Sequence, residues 1–343
     1  MGGIYCAYTI NTACSSSQLW TGSIHIYLCK VLMMKKFLTK GFLFFTIISL
    51  LVASILFVST KEPARTVLAK WTNSEDFTDE SEMLPYFARA REQDGTTQLI
   101  IGDSICRQMF SGLEGYNPKT SILATNAALM ITGQYLLAEE YLQNHPDTTD
   151  IYLIMHPLTM TRTFDNEWSY RNAVMTYVET DTLRFLDENT IEAMESVYGA
   201  LFLQKNVVQL IEDSPICRKL YLSYVNSNRE NYVQSSSFEI SDQYVKKLYD
   251  LCEENGVELH LYSSPVSEYY REQMTELAPE YEETWMYSQY PDYMNEIWYY
   301  PSEWAEDLSH FSGEYAERDK LNEAIKTAYA EKKILEEMNF DQH

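Results

Sequence analysis

Four short apolar runs, each closed by turn residues, constrain this chain more than any other feature of it: Thr97–Ile101, Ser121–Ala124, Ile151–Met155 and Val257–Tyr262. They are strand-length and bounded by turn formers such as Gly102 and Ser263-Ser264-Pro265. Between the second and third, Thr132–Asn144 has helical spacing, with Leu137 above Tyr141 and Ala138 above Leu142. Ahead of the fourth, Ser241–Glu254 reads as a helix stopped by Asn255-Gly256. Ile151–Met155 is nearly all apolar, as a central parallel strand buried on both faces should be. Strand, helix, strand at this spacing predicts an α/β fold with a doubly wound parallel sheet. Thr159–Phe238 is long for one crossover, and its helical runs Ile191–Leu210 and Ile216–Tyr224 predict a helical insertion over the sheet's carboxyl edge, shaping a substrate entrance.

The first run ends in Gly102-Asp103-Ser104 and continues into Ile105–Phe110, which has helical spacing. Gly102 permits a sharp turn at the strand's end. Ser104 then stands at a helix N-terminus, where free N–H groups and the dipole favour negative charge. A serine so placed is fit to attack a carbonyl, because the resulting oxyanion faces those donors; as an N-cap it would simply start the helix. A distant stretch, Asp307-Leu308-Ser309-His310, bears on the choice. An aspartate three residues ahead of a histidine can fold back and accept from Nδ1–H, leaving Nε2 to take a serine proton. Together the two stretches favour catalysis, with Ser104 as nucleophile, His310 as base and Asp307 as its orienter.

Gly102-Asp103-Ser104 with Asp307-x-x-His310 resembles the SGNH (GDSL-like) hydrolase superfamily, over roughly Thr97 to Lys333. Within it the chain looks most like the exported, membrane-anchored branch acting on cell-envelope polymers, which includes D-alanyl-lipoteichoic-acid transfer and alginate O-acetylation proteins. The resemblance implies a flavodoxin-like three-layer α/β/α fold with the three catalytic residues at the carboxyl ends of parallel strands. It also implies a serine esterase or O-acyltransferase working through an acyl-serine on acetyl or D-alanyl esters. The substrate would be a cell-wall or surface polysaccharide, and the partner a membrane-bound O-acyltransferase. Two blocks depart from the family. Thr125–Ile131 has the expected Asn126-Ala127 start but no glycine, leaving a backbone donor near Met130 or Ile131, or the Asn126 side chain, for the oxyanion. The third block is Met155-His156-Pro157-Leu158, without the family's asparagine, and His156 either stands in for that donor or is structural. Losing one oxyanion donor costs about 3–4 kcal/mol. The rival reading is therefore a catalytically inactive accessory protein of the same fold, binding an envelope polymer or the membrane acyltransferase.

Ahead of this body, Gly41–Val58 is an uncharged 18-residue apolar run preceded by Lys35, Lys36 and Lys40. Length and flanking charge predict a membrane span with the N-terminus cytoplasmic and the body outside; a cleaved signal peptide is the competing reading. Residues 1–40 read as a cytoplasmic tail or as a start placed too far upstream of Met33-Met34, 41–60 as the signal anchor, 61–95 as a polar stalk, 96–334 as the body and 335–343 as a tail. All four charges before Thr60 are lysines, so the remaining 22 basic residues face all 50 acidic ones, a net of −28. Nucleic acid, which needs a basic surface, is excluded as a partner.

No histidine or cysteine spacing points to a metal, and no cofactor is expected. His145, at a helix end, and His260, within a strand, read as structural. Of Cys106, Cys217 and Cys252, at most two can pair, with Cys217–Cys252 the available bridge. Tyr281–Trp304 is dense in aromatic rings, which either pack in the core or offer a face to sugars.

Overall fold

The computed structural model describes residues 16–72, 83–111, 118–164, 168–228 and 237–312, and the chain divides into two units, 1–65 and 66–343. The first unit is built on α1 (Ser16–Ser59). Its stretch Met34–Ser59 is long and apolar enough to cross a membrane, with a mean hydropathy of 2.6. Phe37, Phe42, Phe45 and Phe57 stand exposed along it, and a helix apolar on every side needs apolar surroundings. The helix starts well upstream of the apolar run, in a stretch, Ser16–Lys40, that no proline interrupts.

Past α2 (Ala64–Thr72), the order is α3 (Leu84–Ala90), β1 (Gln98–Gly102), α4 (Ser104–Phe110), β2 (Thr120–Ile122), α5 (Met130–Asn144), β3 (Asp150–Met155) and α6 (Pro157–Met160). A helical segment follows, with α7 (Met175–Glu179), α8 (Glu188–Tyr198), α9 (Lys205–Asp213) and α10 (Pro215–Asn228). Then come α11 (Glu239–Asn255), β4 (Glu258–Ser263), β5 (Val266–Ser267), α12 (Arg271–Glu282), α13 (Trp285–Gln289), α14 (Asp292–Asn295) and β6 (Tyr299–Tyr300). Gly256 closes α11 at φ +70°, a left-handed cap. From residue 313 on, the chain lies outside the described residues, including the tail 335–343 and nearly all of the helix that the stripe Leu321, Ala324, Ile325 and Ala328 predicts over Ser312–Lys333.

β1 to β4 form one parallel sheet in the order β2-β1-β3-β4. Gly102 pairs with Ile154 and Ile154 with Tyr262, so β1, β3 and β4 end level. Alternate residues of each strand enter different cores. Leu99, Ile101, Leu153, Met155 and Leu261 pack on the side of α5 and α11, with much of the helical segment. Ile100, Ile122, Tyr152 and Ile154 pack on the other side with Ile105 and Met109 of α4, Tyr300 and Phe311. The helical segment is pinned where β2 hands over to α5: Tyr177 Oη donates to Leu129 O at 2.7 Å.

The stalk expected over 61–95 is corrected. Met83, Phe87 and Ala90 have no exposed surface and belong to the larger core, and Arg91 pairs with Glu140 of α5 through both carboxylate oxygens. Pro85 lies in the first turn of α3, where a missing N–H costs nothing, so it starts structure and does not break it. In the aromatic stretch Tyr281, Tyr293 and Tyr300 are buried, while Trp285, Tyr287, Tyr290, Trp298, Tyr299 and Trp304 are half-buried. Cys106, Cys217 and Cys252 are all free, so the Cys217–Cys252 bridge is not formed.

Candidate active site

The site begins at the end of β1. A Cβ on Gly102 would stand 1.9 Å from Ile154 O and 2.8 Å from Cys106 Cβ, so only glycine lets β3 and α4 approach this closely. Asp103 is buried and uses both carboxylate oxygens. Oδ1 caps α4, accepting from Ile105 N and Cys106 N, while Oδ2 accepts from His156 N and Thr159 Oγ1, both at 2.8 Å. One carboxylate thus fixes the turn carrying Ser104 to the end of the neighbouring strand.

The second half arrives from the far end of the described chain. Asp307 Oδ1 accepts from Ser309 N at 3.2 Å and His310 N at 2.8 Å, folding the turn back on itself. Glu306 N donates to His310 O, and Ala305 and Phe311 form an antiparallel bridge that closes it. Tyr300 Oη donates to Ser309 O at 2.6 Å. Gln108 of α4 ties this turn down through two bonds, Nε2 to Phe311 O and Phe311 N to Oε1.

These constraints bring His310 Nε2 to 2.7 Å from Ser104 Oγ and His310 Nδ1 to 2.8 Å from Asp307 Oδ2. Nδ1 faces a carboxylate and so carries the proton of the neutral ring, which leaves Nε2 to accept from the serine hydroxyl. Burial pushes the Asp307 carboxyl up, but hydrogen bonds from the His310 N–H and ring and from the Ser309 N–H outweigh it and hold Asp307 below its ordinary value. It stays ionised and can stabilise the imidazolium that forms when His310 takes a proton. Ser104 is half-buried and the His310 side chain is 37% exposed, so the pair is open to a substrate.

Sheet topology places this pair where ligands collect in open α/β sheets. Chain order reverses between β1 and β3, and Ser104 and His156 follow the carboxyl ends of those two strands. His156 caps α6: its Nδ1 accepts from Leu158 N at 3.1 Å. Its ring meets Tyr270 edge-on at 5.9 Å, and the Tyr270 hydroxyl accepts from Ser309 Oγ at 3.3 Å.

The residues expected to supply oxyanion donors divide. Asn126 caps the short turn Ala127–Leu129, its Oδ1 accepting from Ala128 N. The Met130 N–H is committed to Ala127 O, which removes it as a donor. Met130 has φ +51° and ψ −175°, a conformation normally left to glycine and held here by a methionine. Ile131 is buried in the first turn of α5. Sequence reasoning passed over Asp103 as a two-sided clamp, Gln108 and Tyr270, whose partners all lie far along the chain.

Two further histidines with described side chains, His145 and His260, bond elsewhere. His145 stacks on Tyr141 and contacts Tyr141 O and Asp94. His260 stacks on Tyr152 and bonds Asp150 at 3.0 Å, and with Glu258 these groups come within 4.8 Å of one another. That cluster lies at the amino ends of β3 and β4, the opposite end of the strands from Ser104. Burial, with Asp103 adding to it, pushes the Cys106 thiol up, so it is no nucleophile.

Fold and site define a class: an α/β protein with a four-stranded parallel sheet and a serine–histidine–aspartate relay at its carboxyl edge. No family model, no curated protein and no solved structure matches the chain.

Proposed function

We propose that this chain is a membrane-anchored serine esterase or O-acyltransferase of the SGNH kind. The observation that carries the proposal is the unbroken relay from Ser104 Oγ through His310 to Asp307, with bonds of 2.7 and 2.8 Å. The strand order supports the fold assignment, since β2-β1-β3-β4 is the flavodoxin-like order without its fifth strand. The lysines ahead of the apolar run support a cytoplasmic N-terminus and an exported body.

In the reaction, His310 Nε2 takes the Ser104 proton as Oγ attacks the ester carbonyl, and Asp307 stabilises the imidazolium. Collapse of the tetrahedral intermediate expels the alcohol, which takes the proton from His310 and leaves an acyl-serine. Water or a sugar hydroxyl then repeats the sequence, giving hydrolysis or transfer. The acyl group is acetyl or D-alanyl and the polymer a cell-envelope polysaccharide, supplied through a membrane-bound O-acyltransferase.

Treating the full-length protein in detergent with a fluorophosphonate probe tests the reading. Covalent labelling that disappears in Ser104→Ala is the expected result. Two observations favour a second reading: the Met130 N–H is already bonded, and Met155-His156-Pro157-Leu158 lacks an asparagine. A folded protein that resists the probe would be an accessory protein that binds the polymer or the acyltransferase without chemistry.

A further inference from the structure

His156 poses a specific chemical question. It is 4% exposed, and its Nε2 has no hydrogen-bond partner among the described residues. Its other ring nitrogen accepts from the Leu158 N–H. A neutral imidazole has one donor and one acceptor nitrogen, so an accepting Nδ1 puts the proton on Nε2. The result is a buried N–H aimed at nothing. Leaving such a group unpaired costs about 1–3 kcal/mol, and the capping role does not explain it, because Ser, Asp or Asn caps better without the orphan.

The surroundings say what would complete it. The backbone N–H of His156 is bonded to Asp103, the residue before the nucleophile, and its ring packs on Tyr270, whose hydroxyl is held by Ser309, the residue before His310. The His156 backbone is therefore tied to the turn that carries Ser104, and its ring packs on a tyrosine that bonds the residue beside His310. We propose that His156, protonated on Nε2, is the side-chain donor that meets the oxyanion formed when Ser104 attacks an ester.

The proposal rests on the catalytic reading above and fills the place of the absent asparagine. Burial keeps the ring neutral by pulling its pKa down to about 4; Asp103 opposes this, while Arg162 and His310 reinforce it. Neutrality matters because His310 becomes an imidazolium during attack, and a second cation beside it would oppose that step. The serine proton goes to His310; the Nε2 proton of His156 is donated in a hydrogen bond and stays on its nitrogen throughout. Nε2 is covered in this structure, so the proposal requires the Tyr270 ring packed against His156 to give way to the ester.

The test uses full-length protein in detergent with 15N-labelled histidine, before and after phosphonylation by the fluorophosphonate, whose phosphoryl oxygen stands in for the oxyanion. Before reaction, the His156 ring should carry its proton on Nε2 and show no titration between pH 5 and 8. After reaction, that proton should move downfield. His156→Ala should lower the phosphonylation rate 10²- to 10³-fold, and His156→Gln, which keeps an N–H near the Nε2 position, should recover at least tenfold of that loss. A proton on Nδ1, a titration near neutrality, or an unmoved Nε2 proton in a fully phosphonylated protein overturns the proposal alone. Failure of wild-type Ser104 to react overturns it together with the catalytic reading.

Discussion

Gln108 and Phe311, 203 positions apart, hold each other as two strand residues would: the glutamine amide donates to Phe311 O at 3.2 Å and accepts from Phe311 N at 3.1 Å. Ser104 is one helical turn before Gln108, and His310 adjoins Phe311. The pair thereby sets the spacing of the nucleophile and its base, although neither residue touches a reacting atom.

Gln108→Ala should separate position from stability. Two neutral hydrogen bonds contribute about 1–3 kcal/mol in all, so the protein should stay folded with a modestly lower denaturation midpoint. A displacement of about 1 Å at the reacting pair costs about 10²-fold in rate. Phosphonylation of Ser104 should fall by that order, and a rate within threefold of wild type would show that the turn keeps its place unaided.

Gly102→Ala should be far more damaging to folding. The added Cβ meets the Ile154 carbonyl oxygen at 1.9 Å and Cys106 at 2.8 Å. Backbone cannot step aside as the tip of a flexible side chain can, so the cost should exceed the 1–3 kcal/mol of ordinary overpacking. Denaturant unfolding measures it, and a change below 1 kcal/mol would mean that β1 and β3 are less closely apposed.

Two residues at positive φ should respond oppositely to glycine. Leu308, at φ +75° inside the Asp307–His310 turn, is 44% exposed. Relief of about 1–2 kcal/mol of left-handed strain competes with about 0.5–1 kcal/mol of added chain entropy, so Leu308→Gly should leave stability unchanged or slightly raised. Met130, at φ +51°, is 1% exposed. Removing its side chain costs about 2–5 kcal/mol, more than the strain returned, and Met130→Gly should be clearly destabilising. Unfolding midpoints measured side by side decide both.

What could be read from the residues was local. The strands announce themselves through short apolar runs, and an aspartate three places before a histidine folds back by chain geometry alone. Gln108 offers no such sign, because its partner is 203 positions away and is a backbone. Asp103 reads as half of a motif, while its bond to the His156 N–H exists only once β1 and β3 are side by side. Leu84-Pro85 sits in a polar, acidic segment, and only tertiary packing shows that Phe87 is core. At Met130 the residue type hides the conformation that the backbone adopts.

The helical segment should give the fold an alkaline weakness. Burial, followed by the neighbouring Glu179 carboxyl and then Asp213, raises Glu212 from 4.5 to about 8, with Arg218 opposing. Arg218 is itself fully buried, and its guanidinium bonds the Ile211 and Glu212 carbonyls, which keeps α9 and α10 close. In the unfolded chain Glu212 loses its proton near its ordinary value; in the folded chain it keeps the proton to about 8. Between those values the native state binds more protons than the unfolded one, so this group's contribution falls steadily as pH rises and levels off above pH 8. Glu212→Gln keeps the shape and removes the ionisation. Compared with wild type in denaturant unfolding from pH 4 to 9, it should be similar at the acid end and increasingly more stable toward the alkaline end. Parallel curves for the two proteins would show that Glu212 ionises in the folded chain as readily as in the unfolded one.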